Sequence, residues 1–245
     1  MESDLSAFPR PHVAVDIALL TVRPTQDRLE LVTLVQDRTE EPLGHSIPGR
    51  FIRERHTVAQ TVDELLQLEV GISLGRRRPH PLRVYDDPDR DTRAWGLSIA
   101  TWLALPWRAV AHATGTWRPI SPSGTPRGVK LLFDHDRILR EAVSELRDRY
   151  ETSPDPERLL PGLFTLLDLR HLHEAVLGER VRKDTFNRRM REQLEPTGHE
   201  TTSLSPPGPP HSAHASRRGR PAQLYRHPRR TTSHDGDLWR LPREQ

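Results

Sequence analysis

Apolar and polar residues alternate with the period of a β-strand in two early runs, HVAVDIALLTV from His12 and LELVTLVQ from Leu29. The polar stretch RPTQDR between them predicts a hairpin turn. From Thr57 the period changes: Val58, Val62 and Leu66 recur every fourth residue, which predicts a helix over 57–71 with Gly71 as its stop. A further strand is expected over 95–105. A second helix is expected over 134–150, where Ile138, Ala142 and Leu146 repeat the four-residue spacing. Strands mixed with a few helices point to an α/β sandwich.

The pattern changes again in the last third. Thr165 followed by Asp168 makes a capping box, Leu169, Leu172 and Val176 form the apolar stripe of a helix, and Gly178 ends it. A short turn over 179–182 leads to a second helix starting near Lys183, a helix-turn-helix pattern. On that helix Phe186 and Met190 stand four apart and face a core. Thr185, Asn187, Arg188 and Arg191 lie on the other side, with Lys183 at the start, a mixture able to bond phosphates and base edges. A solvated basic helix face is the plain alternative. The stretch RRGRPAQLYR, residues 217–226, suits a β-wing that brings Arg217, Arg218, Arg220, Tyr225 and Arg226 to a DNA backbone or minor groove.

Composition narrows the picture. At 245 residues the chain can build one large or two modest cores, and its 23 prolines imply that these share it with some poorly packed linker. There are no cysteines, which excludes disulfides and thiolate zinc sites and suits a reducing cytoplasm. The N-terminal MESDLSAFPRPH lacks the pattern of a signal peptide, and no stretch approaches the roughly 20 apolar residues of a membrane span. A soluble cytoplasmic protein with no membrane partner is expected. Charge is uneven: from Thr165 onward 15 Lys or Arg face 10 Asp or Glu, whereas the preceding part is close to neutral. A polyanion is the natural partner of the basic end.

One segment, PGRFIRERHTVAQTVDELLQLEVGI over 48–72, resembles the signature of the Nudix hydrolases with most of its chemistry replaced. That family builds a metal site from a loop Gly, a Glu, an Arg-Glu pair, a Glu-Glu pair and a closing Gly. Here Arg50 stands at the loop Gly, His56 at the first Glu, Glu64 and Leu65 at the Arg-Glu pair, and Leu68 and Glu69 at the Glu-Glu pair. Only Glu69 and Gly71 keep the pattern. Leu65, Leu68 and Glu69, at i, i+3 and i+4, are expected on one helix face, and two of the three are hydrocarbon where a hard cation needs oxygen. No catalytic residue and no required cofactor are assigned. The alternative is an active hydrolase of ADP-ribose or another nucleoside diphosphate, with Glu54, Glu64 and Glu69 as an unconventional metal set.

The flanks carry the resemblance further. DDPDRDTR over 86–93 precedes the strand GLSIATWLAL, FDH over 133–135 opens the next helix, and the FNRRM and GRPAQLYR segments follow. These resemble the Nudix-related transcriptional regulators of NAD metabolism, whose Nudix domain senses ADP-ribose or a related nucleotide. The resemblance implies an α/β Nudix-like sandwich followed by a small α+β winged helix-turn-helix domain. It also implies a sensing domain over 10–152, a DNA-binding domain over 153–230 with a disordered wing insertion at 196–216, and a tail from 231 to 245. The implied partners are operator DNA, a nucleotide effector and a second copy in a homodimer. The ligand pocket it implies is bounded by Arg50, Phe51, His56, Glu69, Arg90 and Arg93. For Arg90 and Arg93 a second reading stands open, pairing with Asp87, Asp89 and Asp91 to fix a turn.

Overall fold

The computed structural model describes residues 8–200 and 221–228. Its centre is β1 (His12–Pro24), which forms the expected hairpin with β2 (Leu29–Arg38) through antiparallel pairing of Leu20 to Pro24 with Thr33 to Leu29. Along its other edge β1 runs parallel to β6 (Gly96–Ala104). The short β3 (Gly44–Ser46), β4 (Gly49–Phe51), β5 (His80–Tyr85) and β7 (Thr116–Pro119) complete a seven-stranded mixed sheet in the order β3-β2-β1-β6-β5, with β4 added to β1 and β7 to β2. Strand β5 was not foreseen, because its Pro81 and Arg83 break the alternation of an ordinary strand and its register slips between Pro81 and Val84.

Because successive side chains of a strand point to opposite faces, β1 feeds two cores. Val15, Ile17 and Leu19 pack under the helix α1 (Val58–Glu64) with Val62, Leu65, Leu66 and Val70. Ala18, Leu20 and Val22 pack under α3 (His135–Thr152) with Ile138, Leu139, Ala142, Val143 and Leu146. With both faces covered, β1 reads as a nearly continuous buried run. A short α2 (Trp107–Val110) closes the α1 side.

The helix expected over 57–71 has two parts. Thr57 and Gln60 form a capping box at the start of α1, and Gly71 ends the segment in the left-handed conformation. Between them, Leu65–Val70 is a π-helical turn. Its wider winding overturns the expectation that Leu65, Leu68 and Glu69 share a face: Leu65 is fully buried, whereas Leu68 is 71% exposed.

The helix-turn-helix consists of α4 (Leu166–Leu177) and α5 (Lys183–Arg191). Thr165 and Asp168 cap α4 reciprocally, and Gly178 takes the left-handed conformation at its end. Leu169, Phe186, Met190, Leu194, Phe164 and Tyr225 form a third core. Two strands, β8 (Glu195–Glu200) and β9 (Gln223–Arg226), pair antiparallel as the wing, and Phe164 adds a bridge to Tyr225 through two backbone hydrogen bonds of 3.1 and 2.8 Å. Residues 196–200, expected to belong to a disordered insertion, are therefore part of the first wing strand, and the rest of that insertion, 201–216, lies outside the described residues. The lack of period over 196–200 reflects a ladder exposed on most sides, with Gly198 in the left-handed conformation. Helix α4 serves two cores at once. Leu169 belongs to the winged helix, while Leu172 and Val176 belong to the core beneath α3.

Candidate functional site

Strand β4 splits the pocket expected from sequence. Arg50 pairs with Val15 and so faces α1, whereas Gly49 and Phe51 pair with Asp16 and Ala14 and face α3. Arg50, His56, Glu64 and Glu69 gather on one side of the strand, and Phe51, Arg90 and Arg93 on the other.

On the α1 side the π turn sets the geometry. In an α-helix, residues five apart are rotated by about 140°, but the π winding stacks Glu64 and Glu69 on nearly one face. The Arg50 guanidinium lies between them, with Nη1 at 3.6 Å from Glu64 Oε2 and 3.4 Å from Glu69 Oε1. Arg53 approaches Glu64 Oε2 at 3.7 Å, and His56 Nδ1 lies 3.4 Å from Glu64 Oε1. These are ion-pair distances rather than hydrogen bonds. Glu64 Oε2 and His56 Nδ1 are buried without a hydrogen-bond partner among the described residues. Arg53 was missed in the sequence because its position in the box carries no family residue.

On the α3 side Arg90 is a brace. Its guanidinium is 5% exposed and forks onto Asp134 with bonds of 3.0 and 2.7 Å, while a third bond of 3.2 Å reaches Asp16. Of the two readings left open, a pairing role holds for Arg90, but its partners are Asp16 and Asp134 rather than Asp87, Asp89 or Asp91. The Arg90 N–H closes the turn onto the Asp87 carbonyl at 3.0 Å. Arg93 pairs with Asp91 at 2.9 and 2.7 Å and lies over the rings of Phe51 and Phe133, at 5.8 and 5.2 Å. Asp16 is the hidden centre. His135 Nε2 stands 3.4 Å from its carboxylate, and the Ile47 N–H donates to His135 Nδ1 at 3.3 Å, which leaves Nε2 as the nitrogen that faces the acid. Burial pushes the Asp16 carboxyl up, but His135 and Arg90 outweigh it and hold the group down at about 2. The sequence signal was a lone carboxylate inside an apolar strand.

The winged helix presents its own surface. Phe186 and Met190 are buried as expected, at 7% and 2% exposure. Lys183, Thr185, Arg188 and Arg191 are exposed and Asn187 half-buried, so the polar side of α5 faces outward. Arg180, Arg182 and Arg189, not singled out in the sequence, are exposed on the same segment. Tyr225 corrects an expectation. It is 6% exposed and packs with Phe164 in the core, since the alternation of β9 turns its ring inward, so it offers no ring to a DNA backbone. Arg226 pairs with Glu195 across the wing at 2.8 Å. Arg217, Arg218 and Arg220 lie outside the described residues.

A sandwich with a Nudix-type loop and helix, joined to a winged helix-turn-helix, is the architecture that the resemblance to Nudix-related transcriptional regulators implies. Comparison with known proteins agrees. Residues 156–207 match the NrtR DNA-binding winged helix domain. The ADPR responsive transcriptional repressor NtrR of Acinetobacter baylyi is 25% identical over 239 residues, which span 90% of this chain and 84% of that relative. The crystal structure of Shewanella oneidensis NrtR complexed with a 27mer DNA matches with a TM-score of 0.66 at 26% identity, covering 88% of this chain and 93% of that one. A MutT/nudix family protein from Enterococcus faecalis shares the fold, with a TM-score of 0.68 at 20% identity over 90% and 88% of the two chains.

Proposed function

We propose that this protein is a DNA-binding transcriptional regulator whose Nudix-like sandwich senses ADP-ribose or a related nucleotide without hydrolysing it. The observation that carries the reading is α5, a short helix whose apolar pair is buried and whose outward face is built from Arg188, Arg191, Thr185 and Lys183 beside a two-stranded wing. The similarity to a repressor responsive to ADP-ribose and to a relative crystallised on DNA supports it. Loss of hydrolysis is supported by Leu65, which is turned into the core, and by Leu68, which brings no oxygen to a cation. Among the described residues no helix is long and apolar enough to cross a membrane.

The mechanism is linkage. A ligand that prefers one arrangement of a homodimer shifts the spacing of its two reading helices and thereby the affinity for a two-fold operator. Nucleotide binding releases the DNA in this reading. Fluorescence anisotropy with DNA from upstream of the protein's own gene tests it. Arg188→Ala should weaken binding about tenfold or more while leaving the fold intact, and affinity should fall steeply with salt as phosphate counterions are released. Added ADP-ribose should lower the affinity. An unchanged dissociation constant for Arg188→Ala together with a flat salt response would reject the DNA reading.

A further inference from the structure

We propose that Arg50 is a built-in cation that takes the place of the divalent metal between Glu64 and Glu69, so that this sandwich binds its anionic ligand without metal. The proposal rests on reading the sandwich as a nucleotide sensor only for its second half; the replacement of the metal stands on the geometry alone. Two carboxylates that a π turn has brought together repel one another and need a positive charge between them. Arg50 Nη1 provides it, at 3.6 and 3.4 Å, on a side chain only 14% exposed.

The residues present do not fit the metal that Nudix hydrolases use. A hard divalent cation takes about six oxygen ligands at roughly 2.0–2.6 Å. The family's positions offer Glu69 alone, since Leu65 lies in the core and Leu68 is hydrocarbon. Glu64 is a carboxylate at a position where the family carries an arginine, and it is already faced by Arg50, Arg53 and His56. An incoming ion would meet two guanidinium charges beside the two carboxylates.

The exchange also leaves Arg50 able to act on a ligand. A guanidinium has five N–H donors, and the contacts of Arg50 to Glu64 and Glu69, at 3.6 and 3.4 Å, are longer than an ordinary N–H···O hydrogen bond. Its contacts are ionic and loose, so the fork remains free to close on a phosphate, as arginine does in bidentate pairs. The ligand chemistry is that of a diphosphate-bearing nucleotide held by charge and hydrogen bonds.

The test uses the full chain and Mn²⁺ as probe, read by electron paramagnetic resonance of the free ion. The wild-type protein and Arg50→Lys should bind no Mn²⁺ at this site. Arg50→Met, which keeps the apolar stem and removes the charge, should tighten Mn²⁺ binding by about tenfold or more, and the further changes Glu64→Gln and Glu69→Gln should abolish the gain. Circular dichroism checks that each variant is folded, and Arg50→Gln serves as second variant if Arg50→Met is not. Wild-type Mn²⁺ binding that disappears in Glu69→Gln would overturn the proposal, as would folded Arg50 variants that bind no more ion than wild type. In a parallel arm, stabilisation by ADP-ribose in thermal melts should be equal with Mg²⁺ and with a chelator, and a shift that needs Mg²⁺ would also overturn it. Absence of any ADP-ribose shift would instead refute the nucleotide-sensor reading, with the Mn²⁺ arm still deciding the role of Arg50.

Discussion

Replacing Asp155 tests how the winged helix is fastened to the sandwich. The carboxylate is 1% exposed and accepts the Tyr150 hydroxyl at 2.7 Å, the Leu159 N–H at 2.7 Å and the Leu160 N–H at 2.9 Å, with His227 Nε2 at 3.2 Å. Tyr150 closes α3, and His227 directly follows the wing strand β9, so one acid joins the end of the sandwich, the connecting segment and the wing. Burial first, and then the Asp155 charge, raise the Tyr150 hydroxyl well above its ordinary range, so it stays a donor. Asp155→Ala strands three donors, at about 1 kcal/mol or more each. It also places a Cβ residue without a polar side chain at φ 47°, which costs about 1–2 kcal/mol further. The expected loss is about 4–6 kcal/mol, a large part of a typical stability of 5–15 kcal/mol. Asparagine tolerates that backbone and keeps one accepting oxygen, so Asp155→Asn should lose only about 2 kcal/mol. Urea unfolding followed by circular dichroism measures both, and amide exchange at Leu159 and Leu160 should quicken in both. If Asp155→Ala fell within about 1 kcal/mol of wild type, the fastening role would be wrong.

Three further outcomes follow from the same reasoning. His173 is 1% exposed between the rings of Tyr150 and Phe186, and burial lowers it to about 4 from 6.5. With its folded value depressed, its contribution is whole above about pH 6.5 and lost as pH falls toward 4. Some 3 kcal/mol of acid sensitivity should thus vanish from the melts of His173→Phe, and an unchanged pH profile would refute this. A Cβ on Gly49 would stand 2.0 Å from Asp16 Oδ1, so Gly49→Ala should lower the melting temperature by the equivalent of about 2–3 kcal/mol or leave the protein unfolded, whereas a neutral result would mean that the Asp16 cluster yields. Arg90→Met leaves Asp16 and Asp134 without their shared cation and should cost about 3–5 kcal/mol in chemical denaturation; a loss below about 1 kcal/mol would show the brace to be ornamental.

Legibility in the sequence followed the distance over which each feature is determined. The hairpin, β6, α3 and the helix-turn-helix were readable because each rests on local periodicity and on caps such as Thr165 with Asp168 and Gly178. The π turn was not, since nothing in the spacing of Leu65 and Leu66, both buried in the core under β1, marks it. Its consequence was a wrong face for Leu65 and an unforeseen pairing of Glu64 with Arg50. The split of the expected pocket depended on the register of β4 against Val15, which a three-residue strand does not announce. Arg90 was rightly suspected of pairing, but its partners lie 74 and 44 residues away. Tyr225 was read as a contact as part of the GRPAQLYR wing, although the inward side of a short wing strand is where an aromatic ring finds cover.

Helix α4 has a consequence for anyone who would take this protein apart. Its stripe is divided between two cores, Leu169 facing the winged helix and Leu172 and Val176 lying in the same core as Leu31, Leu139 and Val143. A cut between residues 152 and 153 would leave an oily scar on both fragments. A chimera that grafts a foreign reading head onto this sandwich must therefore keep α4 and bring a head whose core accepts Leu169.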